Sequence, residues 1–396
     1  MSLSSHNQSQ ADGLVDLDAL EDEEYRVRVQ SFLRKHYPEE KRHIIGRARW
    51  SDMQGWYTTL SRHGWLAPAW PKDYGGLGLS ASKQLIWIEE QEKYGAARFP
   101  DHGINMIGPT LIRLGTPEQR EYYLPRILSG EHLWAQGYSE PDAGSDLAGL
   151  RTTAEIDGDS LVVNGQKTWS TMAHESTHMY MLVRTDPAAP KREGISFLLM
   201  DLATPGVTIR PIKDIVGESN FCDVFFDNVR VPLFGLVGGL NKGWSVAKTQ
   251  LGFERLLHGS PRSPENLLIR VRSFCERAGL LSDAVVADRL VRLEMDVADL
   301  SELYARFADM VRRGDALPPS VSMLKLWSSE TYGRIAELGI DVIGSCGALQ
   351  GAPEVEGERV ELMVHCYRAR PITVFAGSSE VQRNILAKDV LGLPRR

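Results

Sequence analysis

The sequence predicts an α+β fold in which a small β domain is inserted between two helical regions. Two observations carry this. The apolar period is helical from Leu17 to about residue 134, falls to two between about 135 and 238, and becomes helical again from Gly239 onward. Helices, strands and helices that follow one another in blocks pack as separate layers, here a β barrel or sandwich between two helical ones. The size agrees, because 396 residues, 42% of them hydrophobic, are more than one core requires. The expected divisions are a disordered tail over 1–16, an N-terminal helical domain over 17–134, a middle β domain over 135–238 and a C-terminal helical bundle over 239–396.

In the first block Val27, Phe32 and Leu33 recur near helical spacing, as do Leu85, Ile86, Ile88 and Glu92. Between them, residues 64–78 hold Pro68, Pro71, Gly75, Gly76 and Gly78, which exclude a continuous helix. An ordered loop with a packing role is expected there. In the second block, residues 160–165 read as a strand ending in Asn164-Gly165, a pair that favours a tight turn. Residues 195–200, 206–209, 224–226 and 229–231 supply further strands. In the third block, 244–258, 284–312 and 320–343 are long helical segments. The first thirteen residues are polar and predict disorder.

Composition narrows the function. Basic and acidic residues number 45 and 52, for a net charge of -7, and are intermingled. A nucleic-acid-binding protein would show a basic stripe, and none is present. Cys222, Cys275, Cys346 and Cys366 are scattered, with no Cys-x-x-Cys pair and no histidine at metal-ligand spacing. Buried or free thiols are expected, with neither a disulfide framework nor a metal site. No apolar run approaches the length of a membrane span, and the N-terminus lacks a basic-then-apolar pattern. The expectation is a cytoplasmic protein without membrane insertion.

The chemistry is concentrated between Gln136 and Thr171. The first part is Gln136-Gly137-Tyr138-Ser139-Glu140-Pro141-Asp142-Ala143-Gly144-Ser145-Asp146. It is polar, hydroxyl-rich and punctuated by Pro and Gly, which predicts a loop with exposed backbone N–H groups for a ligand rich in acceptors. The second part, Lys167-Thr168-Trp169-Ser170-Thr171, sets a flat indole beside hydroxyls, a surface on which an aromatic ring system can pack and accept a hydrogen bond. A flavin needs both. Together the two parts resemble the acyl-CoA dehydrogenase family, whose middle domain carries a Ser/Thr-Glu-Pro-x-Ala-Gly-Ser-Asp loop followed by Trp-x-Thr. The resemblance covers the chain after about residue 20. It implies an N-terminal helical domain, a central β barrel and a C-terminal four-helix bundle, with FAD as cofactor. It also implies that Gln136, Tyr138, Ser139 and Ser145 contact the cofactor, that Ser145 also touches the acyl-CoA, that Trp169 packs on the flavin, and that Thr171 lies near N5. Gly377, Ser378 and Glu380 match family positions around the substrate carbonyl and the cofactor.

Acyl-CoA dehydrogenation removes a proton from the carbon beside a thioester and a hydride from the next carbon. The proton needs a carboxylate whose pKa is raised by desolvation. Most family members place it before a Gly-Thr/Ser-Ser sequence near the C-terminus, where this chain has Ala376-Gly377-Ser378-Ser379. The usual base is absent. In the isovaleryl and long-chain branches the base comes from a helix just after the β domain. Here Trp244, Ala247, Leu251, Glu254 and Leu257 fall on one face of that helix, so Glu254 is an acid within an apolar stripe. The branch pattern makes Glu254 the expected base and Arg255 a residue that positions the acyl-CoA; a Glu254 paired with Arg255 or His258 on an open helix face is the plainer alternative.

Two motifs depart from the family. Its Arg-x-x-Phe-Gly, which contacts the FAD of a neighbouring subunit, is scrambled around Arg272-Ser273-Phe274. Its Gln-x-x-Gly-Gly-x-Gly pyrophosphate loop has become Asp341-Val342-Ile343-Gly344-Ser345-Cys346-Gly347. The resemblance makes Asp341, Gly344 and Ser345 cofactor contacts. An acid there is unfavourable beside a pyrophosphate unless it is turned away or paired. Similar departures occur in the bacterial branch that degrades bulky acyl-CoAs, some members of which pair two unlike subunits. The expected activity is therefore FAD-dependent formation of a trans-2-enoyl-CoA from a branched, cyclic or steroid-type acyl-CoA, with electrons passed to an electron-transferring flavoprotein. The expected assembly is a homo-oligomer, dimer or tetramer, with an unlike sister subunit as the variant. Two alternatives are a non-catalytic or half-site partner subunit and a flavin oxidase or monooxygenase on the same scaffold.

Overall fold

A computed structural model describes residues 16–44, 46–97, 99, 102–250, 256, 259–349, 354–355 and 358–394. The expected tail, apart from Asp16, lies outside them. The N-terminal helices are α1 (Asp22–His36), α2 (Trp50–Arg62), α3 (Ala81–Tyr94), α4 (Gly108–Leu114) and α5 (Pro117–Ser129). α1 buries Tyr25, Val29 and Leu33, four residues apart, and carries acids in its first turn and bases in its last, which complements the helix dipole. Val27 falls off this face and is 53% exposed; one apolar residue at near-helical spacing does not define the buried side. α5 opens with a capping box between Thr116 and Gln119. The Gln119 amide then donates to the carbonyls of Phe234 and Leu236, tying the helical domain to the β domain.

Residues 64–78 form the expected packing loop. Trp70 is buried, and its indole N–H donates to the Ile104 carbonyl at 2.9 Å. That carbonyl belongs to a π-helical turn, Gly103–Ile107, leading into α4.

The β domain has β1 (Trp134–Gly137), β2 (Thr153–Asp157), β3 (Ser160–Thr171), β4 (His178–Arg184), β5 (Ile195–Asp201), β6 (Val207–Ile212), β7 (Phe221–Pro232) and β8 (Leu236–Val237). They hydrogen-bond in the order β6-β7-β3-β2-β4-β5-β8, with β1 added parallel to β4. Every one of these strands contributes to a single interior, from Ala135 of β1 to Leu236 of β8. The other faces of β4 and β5, through Tyr180, Leu182, Phe197 and Leu199, pack on Ile107, Leu111 and Ile127 of the N-terminal domain. Burial on both faces explains why 197–200 reads as an unbroken apolar run.

Two local expectations are corrected here. The tight turn between β2 and β3 is made at Gly158, with φ +66°, and not at Asn164-Gly165. Gly165 lies inside β3 at a bulge opposite β7, with φ +144°, where a Cβ would meet Thr152 at 2.7 Å. A glycine after asparagine serves a turn or a bulge equally well, and only the pairing partner decides. The runs 224–226 and 229–231 are also one strand, β7.

The C-terminal elements are α6 (Gly243–Gln250), α7 (Arg262–Arg277), α8 (Ala284–Arg312), α9 (Ser322–Ile343), α10 (Met363–Ile372) and α11 (Ser379–Ile385). α7, α8 and α9 share a core through Val271, Leu293 and Ile335, and Leu85 of α3 joins Leu300, Tyr304 and Leu324 beside it. Helices, strands and helices thus follow one another as the apolar periods predict. Among the described residues no helix is long and apolar enough to cross a membrane, and no group of three or more His, Cys, Asp or Glu is placed to hold a metal. The four cysteines are free.

α6 is seated by its first residue. A Cβ on Gly243 would lie 2.4 Å from the Ser196 carbonyl carbon and 2.5 Å from the Phe197 nitrogen, so the helix start rests on the backbone of β5. Gly243→Ala is expected to destabilise the fold by about 1–3 kcal/mol through overpacking. Urea unfolding checks it, and a wild-type midpoint would rule out this close approach.

Where α5 leads into β1, the rings of His132 and His178 lie 3.7 Å apart, both buried. Burial is the main cause that lowers both pKa values below 6.5, His178 to about 4 with His132 as a second cause. Glu131 and Asp201 oppose the shift, and Arg126 adds to it at His132. The neutral rings favour the fold above pH ~6.5, the unfolded value, and this contribution is lost as pH falls from there toward about 4. The melting temperature is therefore expected to fall between pH 7 and 5, and His178→Phe to flatten that slope. An unchanged slope in the variant would discount the pair.

Candidate active site

After β1 the chain turns back on itself. Glu140 and Ala143 exchange backbone hydrogen bonds at 3.0 and 3.1 Å, which closes the Pro141-Asp142 turn. The Glu140 side chain points inward. It accepts from the Arg151 N–H at 2.6 Å, the Thr152 N–H at 3.0 Å and the Lys167 ammonium at 2.7 Å. Burial pushes the Glu140 carboxyl up, but Lys167 and the other donors outweigh it and hold the group below its ordinary range. Burial pulls Lys167 down to about 8, against the pull of Glu140. The loop is thus less open than its polar sequence suggests. Pro141, Asp142 and Gly144 to Asp146 are exposed, while Glu140 and Ala143 are buried and the Ser139 carbonyl accepts the Thr168 N–H at 2.9 Å, which holds the loop against β3.

β3 carries a second irregularity between Lys167 and Ser170. It places Trp169 at φ +58°, a left-handed conformation costing about 1–3 kcal/mol for a residue other than glycine. The indole is 58% exposed and meets Phe221 edge-on at 6.0 Å. Thr171, half-buried, pairs with Phe221 across β7. The hydroxyl of Ser170 is buried and has no hydrogen-bond partner. A large flat ring held outward at a backbone cost is what a contact surface requires. On β1, Gln136 donates to the Tyr180 hydroxyl at 3.0 Å, His102 Nδ1 lies 2.9 Å from the same oxygen, and the buried Tyr138 packs edge-on against the Tyr180 ring.

The remaining candidates lie on the C-terminal domain. Ala376 occupies a left-handed position at φ +54° and Gly377 follows at φ +83°. The Gln382 amide donates to the Ala376 carbonyl at 3.1 Å, and Ser378 caps α11 by accepting the Val381 N–H. Glu380 is exposed in the first turn of α11, where its own backbone N–H and the Ser378 hydroxyl lower its pKa. Asp341 is paired with Arg289 of α8 at 2.8 Å, which resolves the question its charge raises. Gly344, at φ +65°, and Ser345 are exposed just past the end of α9. Arg272 is engaged by Glu276 and Glu294. Glu254 and Arg255 lie outside the described residues. The helix that leads to them does not, and Trp244, Val246 and Ala247 of α6 pack into the core shared with α4 and β5.

Gln136, Tyr138, Ser139, Trp169 and Thr171 therefore share one wall made of β1, β3 and the loop after β1, with Ser145 at the loop's exposed end. The Gly377–Glu380 and Asp341–Ser345 groups sit at the start of α11 and the end of α9. Sequence reading assigned no role to Glu140, Lys167, His102 or Tyr180. For Lys167 a signal existed: it has the same parity as Leu161 and Val163, so it points inward and needs an acid.

Comparison with known proteins assigns a family over most of the chain. The N-terminal, middle and C-terminal domain models of the acyl-CoA dehydrogenases match residues 20–131, 135–229 and 241–391. Acyl-CoA dehydrogenase IpdE1 of Mycobacterium tuberculosis is 36% identical, covering 94% of this chain and 98% of its own. FadE26 of the same organism is 34% identical over 94% and 97%, and the mitochondrial isovaleryl-CoA dehydrogenase of Pongo abelii 28% over 94% and 89%. Among solved structures, the Tcur3481-Tcur3483 steroid ACAD has a TM-score of 0.84 at 30% identity, covering 95% of this chain and 98% of that one. The ChsE4-ChsE5 complex from Mycobacterium tuberculosis has a TM-score of 0.81 at 32% identity, covering 95% and 98%. The chain belongs to the acyl-CoA dehydrogenase family.

Proposed function

We propose that this chain binds FAD and converts a bulky acyl-CoA, branched, cyclic or steroid-type, to its trans-2-enoyl-CoA, with an electron-transferring flavoprotein as the electron acceptor. The observation that carries the reading is Trp169, exposed and held in a left-handed conformation beside the clamped loop. The residues present fit a flavin: the indole offers a flat face, Thr171 a hydroxyl beside it, and the buried Ser170 hydroxyl is unpartnered. Gln136, Tyr138, Ser139 and Ser145 would hold the cofactor on this wall, with Ser378, Glu380, Asp341, Gly344 and Ser345 contributing from the C-terminal domain. The Asp341–Arg289 pair removes the local charge that would oppose a pyrophosphate. Bound FAD would supply the hydride acceptor.

The protein's own part is the proton. The Glu254 carboxylate takes it from the α-carbon, the hydride leaves the β-carbon, and the electron pair of the broken Cα–H bond becomes the new double bond. Arg255 positions the acyl-CoA and Gly377 lies at the thioester carbonyl, which must be polarised for the α-proton to leave. The bulky acyl group is supported by the steroid ACAD among the solved structures.

An unlike sister subunit is favoured over self-assembly alone by one observation. Arg272, the nearest counterpart of the family's FAD-contacting arginine, is tied to two acids of its own chain. Two of the solved relatives are named as pairs, Tcur3481-Tcur3483 and ChsE4-ChsE5. The test is a visible spectrum of the purified chain titrated with FAD, followed by anaerobic bleaching with steroid-type, branched and straight-chain acyl-CoAs. Flavin bands at about one FAD per chain and faster bleaching by bulky thioesters are expected. A colourless chain that takes up no FAD would shift the reading to a half-site subunit, and rapid aerobic reoxidation with peroxide release to an oxidase.

A further inference from the structure

Glu140 and Lys167 stand at the roots of the two segments that form the candidate flavin wall. Both are buried, at 7% and 0% exposure, and their Oε1–Nζ distance is 2.7 Å. The Thr152 N–H shares Oε1 with Lys167, the Arg151 N–H donates to Oε2, and Lys167 also reaches the Tyr138 carbonyl at 3.4 Å. One residue before Glu140 and one residue after Lys167, the Ser139 carbonyl accepts the Thr168 N–H. Side chains and backbone therefore join loop and strand at the same place.

Stability alone does not require such a pair, since a well-packed apolar couple of the same volume serves as well or better. What the pair adds is direction. Lys167 is the last inward residue before β3 leaves regular pairing, and two residues later Trp169 points outward at φ +58°. An ion pair at that point fixes which residue faces in, and so which ring faces out. Sliding the strand by one residue would bury the indole and expose the lysine.

We infer that Glu140 and Lys167 are a positioning pair for the cofactor surface, holding the loop 139–145 and the Trp169 ring in the relative placement that a flat, acceptor-rich ligand needs. This rests on the flavin reading above. Neither residue touches the reacting atoms; both act through Trp169, Ser139 and Tyr138.

The test uses the full chain as wild type, Lys167→Met, and the double variant Glu140→Gln/Lys167→Met. The readouts are thermal stability, FAD affinity by fluorescence titration, and hydrogen exchange at the Thr152 and Thr168 amides without FAD. Lys167→Met leaves a buried carboxylate unpaired and is expected to lose stability and FAD binding together. The double variant is expected to regain the wild-type melting temperature, yet to bind FAD about tenfold or more weakly, the size of one lost charge-assisted hydrogen bond, and to exchange Thr168 faster. Stability restored without binding is the result a merely structural pair does not give. A double variant that binds FAD as wild type does, or that no longer folds, overturns the inference. A wild-type chain that takes up no FAD overturns the flavin reading itself, which separates the two failures.

Discussion

Glu254→Gln is expected to lower the turnover of an accepted acyl-CoA by about 10²–10⁴-fold, the usual contribution of a positioned general base. Glutamine keeps the size and the hydrogen-bonding reach of the side chain and removes only its ability to take a proton. KM should therefore change little while kcat and kcat/KM fall together, the pattern of an interaction made in the transition state. The sequence argues for this position. The other place where the family keeps its base is occupied by Ala376, whose methyl cannot accept a proton. α6, which precedes Glu254 in the chain, is seated on β5 at Gly243 and packed by Trp244, Val246 and Ala247. The measurement is the rate of anaerobic flavin bleaching by a bulky acyl-CoA in a single turnover. A wild-type rate in the variant would place the base elsewhere.

What could be read from the sequence was what depends on neighbours along the chain. The period change at the β domain marks where the strands begin, and the helix 284–312 has the limits its pattern implies. Segment 64–78 is a packing loop because its prolines and glycines leave few other choices. Pairings across the fold were not legible. Asn164-Gly165 looks like a turn until β7 is laid beside it and shows a bulge. Asp341 looks like a conflict with phosphate until Arg289, far away in sequence, neutralises it. Glu140 reads as one polar residue of an exposed loop until Lys167 takes its carboxylate inward. In each case the deciding group belongs to another element, and periodicity carries no information about it.

Trp70→Ala is expected to destabilise the fold by about 3–5 kcal/mol, at the upper end for a single core substitution. The ring is 1% exposed and gripped from several sides. A Cβ on Gly108 would fall 1.8 Å from its Cζ2 atom, and one on Gly76 would fall 2.1 Å from the Trp70 carbonyl oxygen, so neighbours approach as closely as glycine permits. Removing the ring leaves a cavity that these backbones cannot easily fill. It also strips the Ile104 carbonyl of its indole donor, and an unpaired buried carbonyl adds about 1–3 kcal/mol. Trp70→Phe weighs the two causes against each other, because it keeps most of the ring volume while removing the N–H. The consequence reaches the candidate site. Ile104 lies in the π-helical turn that follows His102, and His102 and Gln136 meet at the Tyr180 hydroxyl. If the indole bond fixes that turn, Trp70→Phe should loosen the Gln136 wall and weaken FAD binding while costing less stability than Trp70→Ala. If volume alone fixes it, FAD binding in Trp70→Phe will match wild type. Urea unfolding and FAD titration of both variants decide between them, and a loss below about 1 kcal/mol in Trp70→Ala would refute the close packing argued for the ring.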